Sequence, residues 1–146
     1  MNKQFIYPAK TRIDKGGRIV ITFPDLPFGA TDGADRQEAL HEAADCLEEV
    51  IAGLINHGED IPQPSRPKRN QMLVLLSAQM SAKAALYLSL REAGISKSEL
   101  ARRIGCDVRE VRRMLDPRHP TKLPRIEAAL EVLGKRLVVG MEEAAA

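Results

Sequence analysis

Three arginines carry the strongest chemical signal in this 146-residue chain. Arg109, Arg112 and Arg113 lie in a stretch whose apolar members, Val108, Val111, Met114 and Leu115, recur at helical spacing. That spacing sends the three guanidinium groups to the outward face of one short helix. A guanidinium fork binds phosphate oxygens, or the O6 and N7 edge of guanine in a bidentate pair, so an arginine-faced helix suits a DNA major groove. Lys97 and Ser98 open the helix before it and are better placed for phosphates. A solvated helical hairpin has a similar composition, and DNA is favoured because the signals around the arginines agree with one another.

The other chemistry-bearing residues form no reactive set. His41, His57 and His119 are isolated and share no metal-ligand spacing with Cys46 or Cys106. Neither cysteine carries a nucleophile signature. Asp14, Asp25 and Asp32 fall in turns or loops, where solvation and turn formation explain them. Gly16-Gly17 is followed by a strand pattern, so it is a hairpin turn and not a phosphate loop. The expectation is a protein without catalytic residues, metal or cofactor.

The elements that must position the arginines are legible around them. Ser96 and Glu99 have the spacing of a capping box at a helix start. Leu100, Ala101 and Ile104 then make one apolar stripe, and Ala101 is small enough for a close helix crossing. Gly105 stands where a helix end needs a left-handed residue. Asp107 and Glu110 repeat the capping spacing, and Asp116-Pro117 stops the second helix. The pattern over Ile95–Asp116 is a helix-turn-helix.

Composition allows one domain or two small ones, with 44% hydrophobic and 29% charged residues. Apolar runs such as Met72–Leu76 and Leu137–Val139 are far too short to span a bilayer, and no basic segment precedes an apolar one at the N-terminus. Two single cysteines fit a reduced cytosolic compartment, both as packing residues. The net charge of +2 hides a division. Residues 1–65 hold six Lys/Arg against eleven Asp/Glu, whereas residues 66–146 hold sixteen against nine. An acidic front and a basic rear predict two surfaces with two kinds of partner.

In chain order, Phe5–Ile13 and Arg18–Phe23 read as strands joined by the glycine-bearing turn Asp14–Gly17. Pro24–Pro27 leaves the ladder, and a short strand around Gly29–Thr31 precedes the turn at Asp32-Gly33. Asp35 and Glu38 cap a helix of about five turns, with Ala39, Leu40, Ala43, Leu47, Val50, Ile51 and Leu54 inward and Gly58 at its end. Its other face carries Glu38, Glu42, Asp45, Glu48 and Glu49, which composition alone reads as a solvated strip. Residues 61–70 form a proline-rich turn and linker with Arg66, Lys68 and Arg69. Met72–Leu76 is expected as a buried strand returning to the first sheet, with the start of the next helix as the alternative. A helix over Met80–Ala93, with Ala84, Ala85, Tyr87 and Leu88 inward, should end at Gly94. After the helix-turn-helix, Pro117–Pro124 reads as a loop, Arg125–Leu133 as a helix and Lys135–Val139 as a short strand. A lone terminal strand cannot satisfy its edges, so it is expected to pair with a second copy of the chain. The fold class is α+β: a small N-terminal sheet with one long helix over residues 1–76, then an all-α domain over residues 77–146 that ends in a short strand.

These pieces resemble the HicB antitoxins of bacterial type II toxin–antitoxin pairs, in the version with a C-terminal Xre-like helix-turn-helix. The similarity runs through Phe23-Pro-Asp-Leu-Pro27, Thr31-Asp-Gly33, Glu38-Ala39, Glu42-Ala43 and Ile61-Pro-Gln-Pro-Ser65, then from about Ser77 to Val139. It implies a partial RNase H-like front domain without nuclease activity, and a HicA-like toxin, a small basic ribonuclease that degrades mRNA. It further implies autorepression at the operator DNA of the pair's own promoter, as a homodimer or higher homo-oligomer. A basic toxin needs a complementary surface, and on that ground Glu38, Glu42, Asp45 and Glu49 are expected at the toxin contact, with Asp25 and Phe28 of the proline loop. Many members have Gly-Cys after Pro-Asp-Leu-Pro, where this chain has Phe28-Gly29-Ala30. The residues alone also allow a stand-alone transcription regulator whose front domain senses a small molecule or a protein.

Overall fold

The computed structural model describes residues 3–144. Their elements are β1 (Ile6–Ile13), β2 (Ile19–Thr22), β3 (Ala30–Gly33), α1 (Arg36–Asn56), β4 (Met72–Leu75), α2 (Ala78–Ala93), α3 (Lys97–Ile104), α4 (Val108–Leu115) and α5 (Leu123–Val132). The architecture is α+β, with the strands in one antiparallel sheet of order β3-β2-β1-β4 and the helices following.

Local chemistry makes the first hairpin. Asp14 Oδ1 accepts from the backbone N–H groups of Gly16 and Arg18, both at 2.9 Å, and Gly17 takes the positive φ of 79° that closes the turn. Pairing Tyr7 with Val74 and Thr11 with Ile21 puts Tyr7, Ala9, Ile21 and Val74 on one face, where all four are buried. α1 covers that face with Ala39, Ala43, Leu47, Val50, Ile51, Leu54 and Ile55. Each of the buried Leu, Val and Ile side chains stabilises the fold by about 1.5–3 kcal/mol, and each alanine methyl by about 0.8 kcal/mol. The exposed Arg18–Asp32 pair, at 2.6 Å, contributes at most about 1 kcal/mol. Burial under α1 therefore holds the sheet.

The differences from expectation have local causes. β3 runs two residues beyond Thr31, because Asp32 and Gly33 pair with Val20 and Ile19. The apolar run at Met72–Leu75 is indeed a strand, antiparallel to β1 and at the sheet edge, so Leu73 and Leu75 are half exposed. α2 begins two residues before Met80, because Ser77 Oγ accepts from the Met80 N–H at 3.2 Å. Pro124, expected in a loop, lies in the first turn of α5, where its missing N–H removes no helical bond. Residues 135–139 form no strand in the single chain, and Val138 and Val139 remain 69% and 73% exposed. A strand needs a ladder partner, and none of the four strands takes that role.

The buried side chains form one cluster running from Phe5 to Leu130. Long-range polar bonds reinforce it around α2. Tyr87 Oη donates to Glu59 O at 2.7 Å, and Arg91 donates to Gly58 O and pairs with Asp60, each also at 2.7 Å. Among the described residues, no helix is long and apolar enough to cross a membrane.

Candidate functional site

The acidic side of α1 is built from its cap outward. Asp35 accepts from the Glu38 N–H at 2.9 Å, and Glu38 reaches back to accept from the Ala34 N–H at 2.6 Å. Glu38, Glu42, Asp45 and Glu49 then follow at intervals of four, three and four residues, which is a single stripe of a helix. The stripe lies opposite the buried face. Among the described residues no Lys or Arg pairs with the stripe, and His41 Nε2 lies 3.6 Å from Asp45. Glu48 belongs elsewhere, since its carboxylate accepts from the Ser77 N–H at 2.7 Å.

The proline loop comes to the same side of the molecule. Phe23 and Leu26 are buried, while Phe28 is 52% exposed. Gly29, with φ 119°, lies against Val50 and Cys46 of α1, where a Cβ would come within 2.9 Å of the Val50 methyl. The Phe28 ring thereby reaches Gly53, one turn beyond Glu49. Asp25 is occupied differently: its carboxylate accepts from Ser65 N and Ser65 Oγ at 2.8 and 3.0 Å, tying the loop to the linker. Tyr7 Oη donates to Pro62 O at 2.8 Å, and burial, aided by the Asp25 charge, pushes its phenol well above the ordinary range. The structure thus brings Phe28 to the C-terminal end of the stripe and uses Asp25 to fasten the loop to Ser65.

The basic side lies on α3 and α4. Ser96 Oγ accepts from the Glu99 N–H at 3.0 Å, and Gly105 closes α3 with φ 83°. The expected return half of this cap is replaced: the Glu99 carboxylate takes Arg102 at 2.6 and 2.8 Å and Arg103 at 3.0 Å. The second cap also differs, because Asp107 accepts from the Arg109 N–H at 2.8 Å, and the Glu110 carboxylate pairs with Arg125 of α5. Lys97, Ser98, Arg109, Arg112 and Arg113 are all exposed. Arg109 lies 3.6 Å from Asp107, whereas Arg112 and Arg113 make no ion pair among the described residues. Val111, Met114 and Leu115 anchor the opposite face. The three arginines of α4 therefore project from a helix fixed on its other side.

Two features escaped the sequence reading. The Glu99–Arg102–Arg103 cluster was findable, because residues three and four apart on a helix are neighbours. The Arg91 clamp joins groups about thirty positions apart and has no local signal.

The Arg102 and Arg103 guanidinium groups hold the Glu99 carboxyl down to about 2, from its ordinary 4.5. A carboxylate with a depressed pKa stabilises the fold fully above the higher value and loses that contribution as pH falls through the lower one. Glu99→Gln should therefore lower the denaturant midpoint by a constant amount from pH 7 to 5, and the gap should close towards pH 2. A gap unchanged down to pH 2 would contradict the assignment.

Residues 6–85 match the family described as HicB_like antitoxin of bacterial toxin–antitoxin system. Antitoxin HicB 2 of Photorhabdus laumondii is 35% identical over 137 residues, covering 94% of this chain and 96% of that protein. Antitoxin HicB of Pseudomonas fluorescens is 32% identical, with 90% of each chain covered. Antitoxin HicB of Escherichia coli is 29% identical, covering 92% of this chain and 98% of its own.

Proposed function

The chain belongs to the HicB-like antitoxin family, a regulatory and non-enzymatic one, and on that premise we propose that it neutralises a HicA-like mRNA-degrading toxin by direct binding and represses its own operon through DNA. In this reading residues 1–76 are a partial RNase H-like toxin-binding domain and residues 77–146 a helix-turn-helix DNA-binding domain, acting together in the cytoplasm. The observation that carries neutralisation is the acidic stripe of Glu38, Glu42, Asp45 and Glu49 with the half-exposed Phe28 beside it. A basic toxin would be steered by the charges and anchored by the ring. Repression is supported by the exposed Arg109, Arg112 and Arg113, with Lys97 and Ser98 on the preceding helix. The exposed Val138 and Val139 support pairing with a second copy as a homodimer or higher homo-oligomer.

The test of neutralisation is growth rescue. A toxin-sized reading frame beside this gene, once induced, should arrest growth, and co-expression of the full chain should relieve the arrest. A harmless neighbour, or an arrest that persists, would sink this reading. Operator binding has a test of its own. Arg109→Ala should relax sequence preference at one operator position at a cost of about 1–3 kcal/mol, whereas Lys97→Ala should weaken all sequences alike and reduce the salt slope by roughly one unit. If Arg109→Ala leaves operator preference untouched, that residue reads no base.

A further inference from the structure

Lys83, on α2, has no solvent-exposed surface, although an ammonium is among the costliest groups to bury. Its Nζ donates to Arg113 O at 3.1 Å, Met114 O at 2.9 Å and Thr121 Oγ1 at 2.8 Å. The two carbonyls belong to the last turn of α4, where the helix dipole favours a cation; Arg113 O also accepts from the Asp116 N–H at 3.2 Å, so the ammonium matters most to Met114 O. The Thr121 hydroxyl is left to donate towards Arg113 O at 3.4 Å or His119 O at 3.3 Å. One turn earlier on α2, Gln79 exchanges two hydrogen bonds with the Thr121 backbone, both at 2.9 Å. α2 thus grips both the end of α4 and the loop that follows it. Burial pulls the Lys83 pKa down to about 8, opposed by the Asp116 carboxylate. A methionine would fill similar space without that penalty, but it would leave the Met114 carbonyl without this donor.

We propose that Lys83 is a positioning residue for DNA readout: with Thr121 as its hydroxyl partner, it sets the angle at which α4 presents Arg109, Arg112 and Arg113. The inference rests on the DNA-binding reading above. Phosphate attraction follows the number of cations, whereas base readout needs the helix in register. Loss of Lys83 should therefore weaken operator binding more than non-specific binding.

The experiment measures, for the full chain, the ratio of affinities for a duplex from the promoter region upstream of its own gene and for a scrambled duplex of equal length. Lys83→Met should lower this ratio about ten-fold, and the isosteric Thr121→Val about three-fold. Thr121→Ser, which restores the hydroxyl, should keep the parental ratio. Folded Lys83→Met with an unchanged ratio overturns the proposal. Should that variant fail to fold, the Thr121 pair decides, and equal ratios for the Val and Ser variants overturn it. If the parental protein itself does not distinguish the two duplexes, the DNA-binding reading fails first and takes this inference with it.

Discussion

Charge reversal along α1, with Glu42→Lys, Asp45→Lys and Glu49→Lys combined, should slow association with the toxin about a hundred-fold at low salt. The three positions lie on one stripe, so under the proposed contact with a basic toxin the change converts attraction into repulsion. Asp45 and Glu49 are exposed and Glu42 is half-buried, and none of the three caps α1 or bonds another element among the described residues. The variant should therefore keep the parental unfolding free energy to within about 0.5 kcal/mol per position. Surface charges separated by more than about 10 Å are screened at 0.1 M salt, so the deficit should shrink as salt rises. Phe28→Ala separates the two contributions, because removing the proposed apolar anchor should speed dissociation and leave the on-rate near its parental value. Stopped-flow association across a salt series checks both. Parental on-rates in the triple variant would remove α1 from the toxin contact, and failed growth rescue would then need another explanation.

Gly33→Ala should cost at least about 3 kcal/mol of stability, the upper end of ordinary overpacking. The reason is contact with backbone rather than backbone conformation. A Cβ at Gly33 would lie 2.3 Å from Ala39 N and 2.6 Å from Ala39 Cα. Neither can swing aside as a flexible side chain does. β3 is held in place by pairing Gly33 with Ile19, and the start of α1 by the Asp35 cap, so one of these must give way. Domain stabilities are commonly about 5–15 kcal/mol, and this loss would consume a large share. Gly16→Ala is the matched control: its nearest neighbour is Asp14 Oδ1 at 3.5 Å and its φ is not positive, so a change within about 0.5 kcal/mol is expected. Urea unfolding of the two variants against the parent decides the matter. Similar midpoints for both would show that α1 can lift from β3 cheaply.

Where the sequence spoke clearly, the interactions span a few residues. The Asp14 turn, the caps at Asp35 and Ser96, the left-handed glycines after α2 and α3 and the inward face of α4 were all legible, because donor, acceptor and backbone requirement lie within about one turn of chain. The stripe on α1 and the arginine face of α4 were readable for the same reason, since helical periodicity alone groups those residues. Tertiary structure decided what each exposed or buried charge does. Asp25 meets Ser65 forty positions away, Glu48 meets Ser77 and Lys83 meets the end of α4, and each choice depends on which elements pack together. Phe28 becomes a neighbour of the acidic stripe only because Gly29 lets its loop lie on α1. The expected strand at 135–139 marks the boundary most plainly. Local β-propensity can favour an extended segment, but a strand exists only when another strand completes its hydrogen bonds, and the described residues of the single chain supply none there.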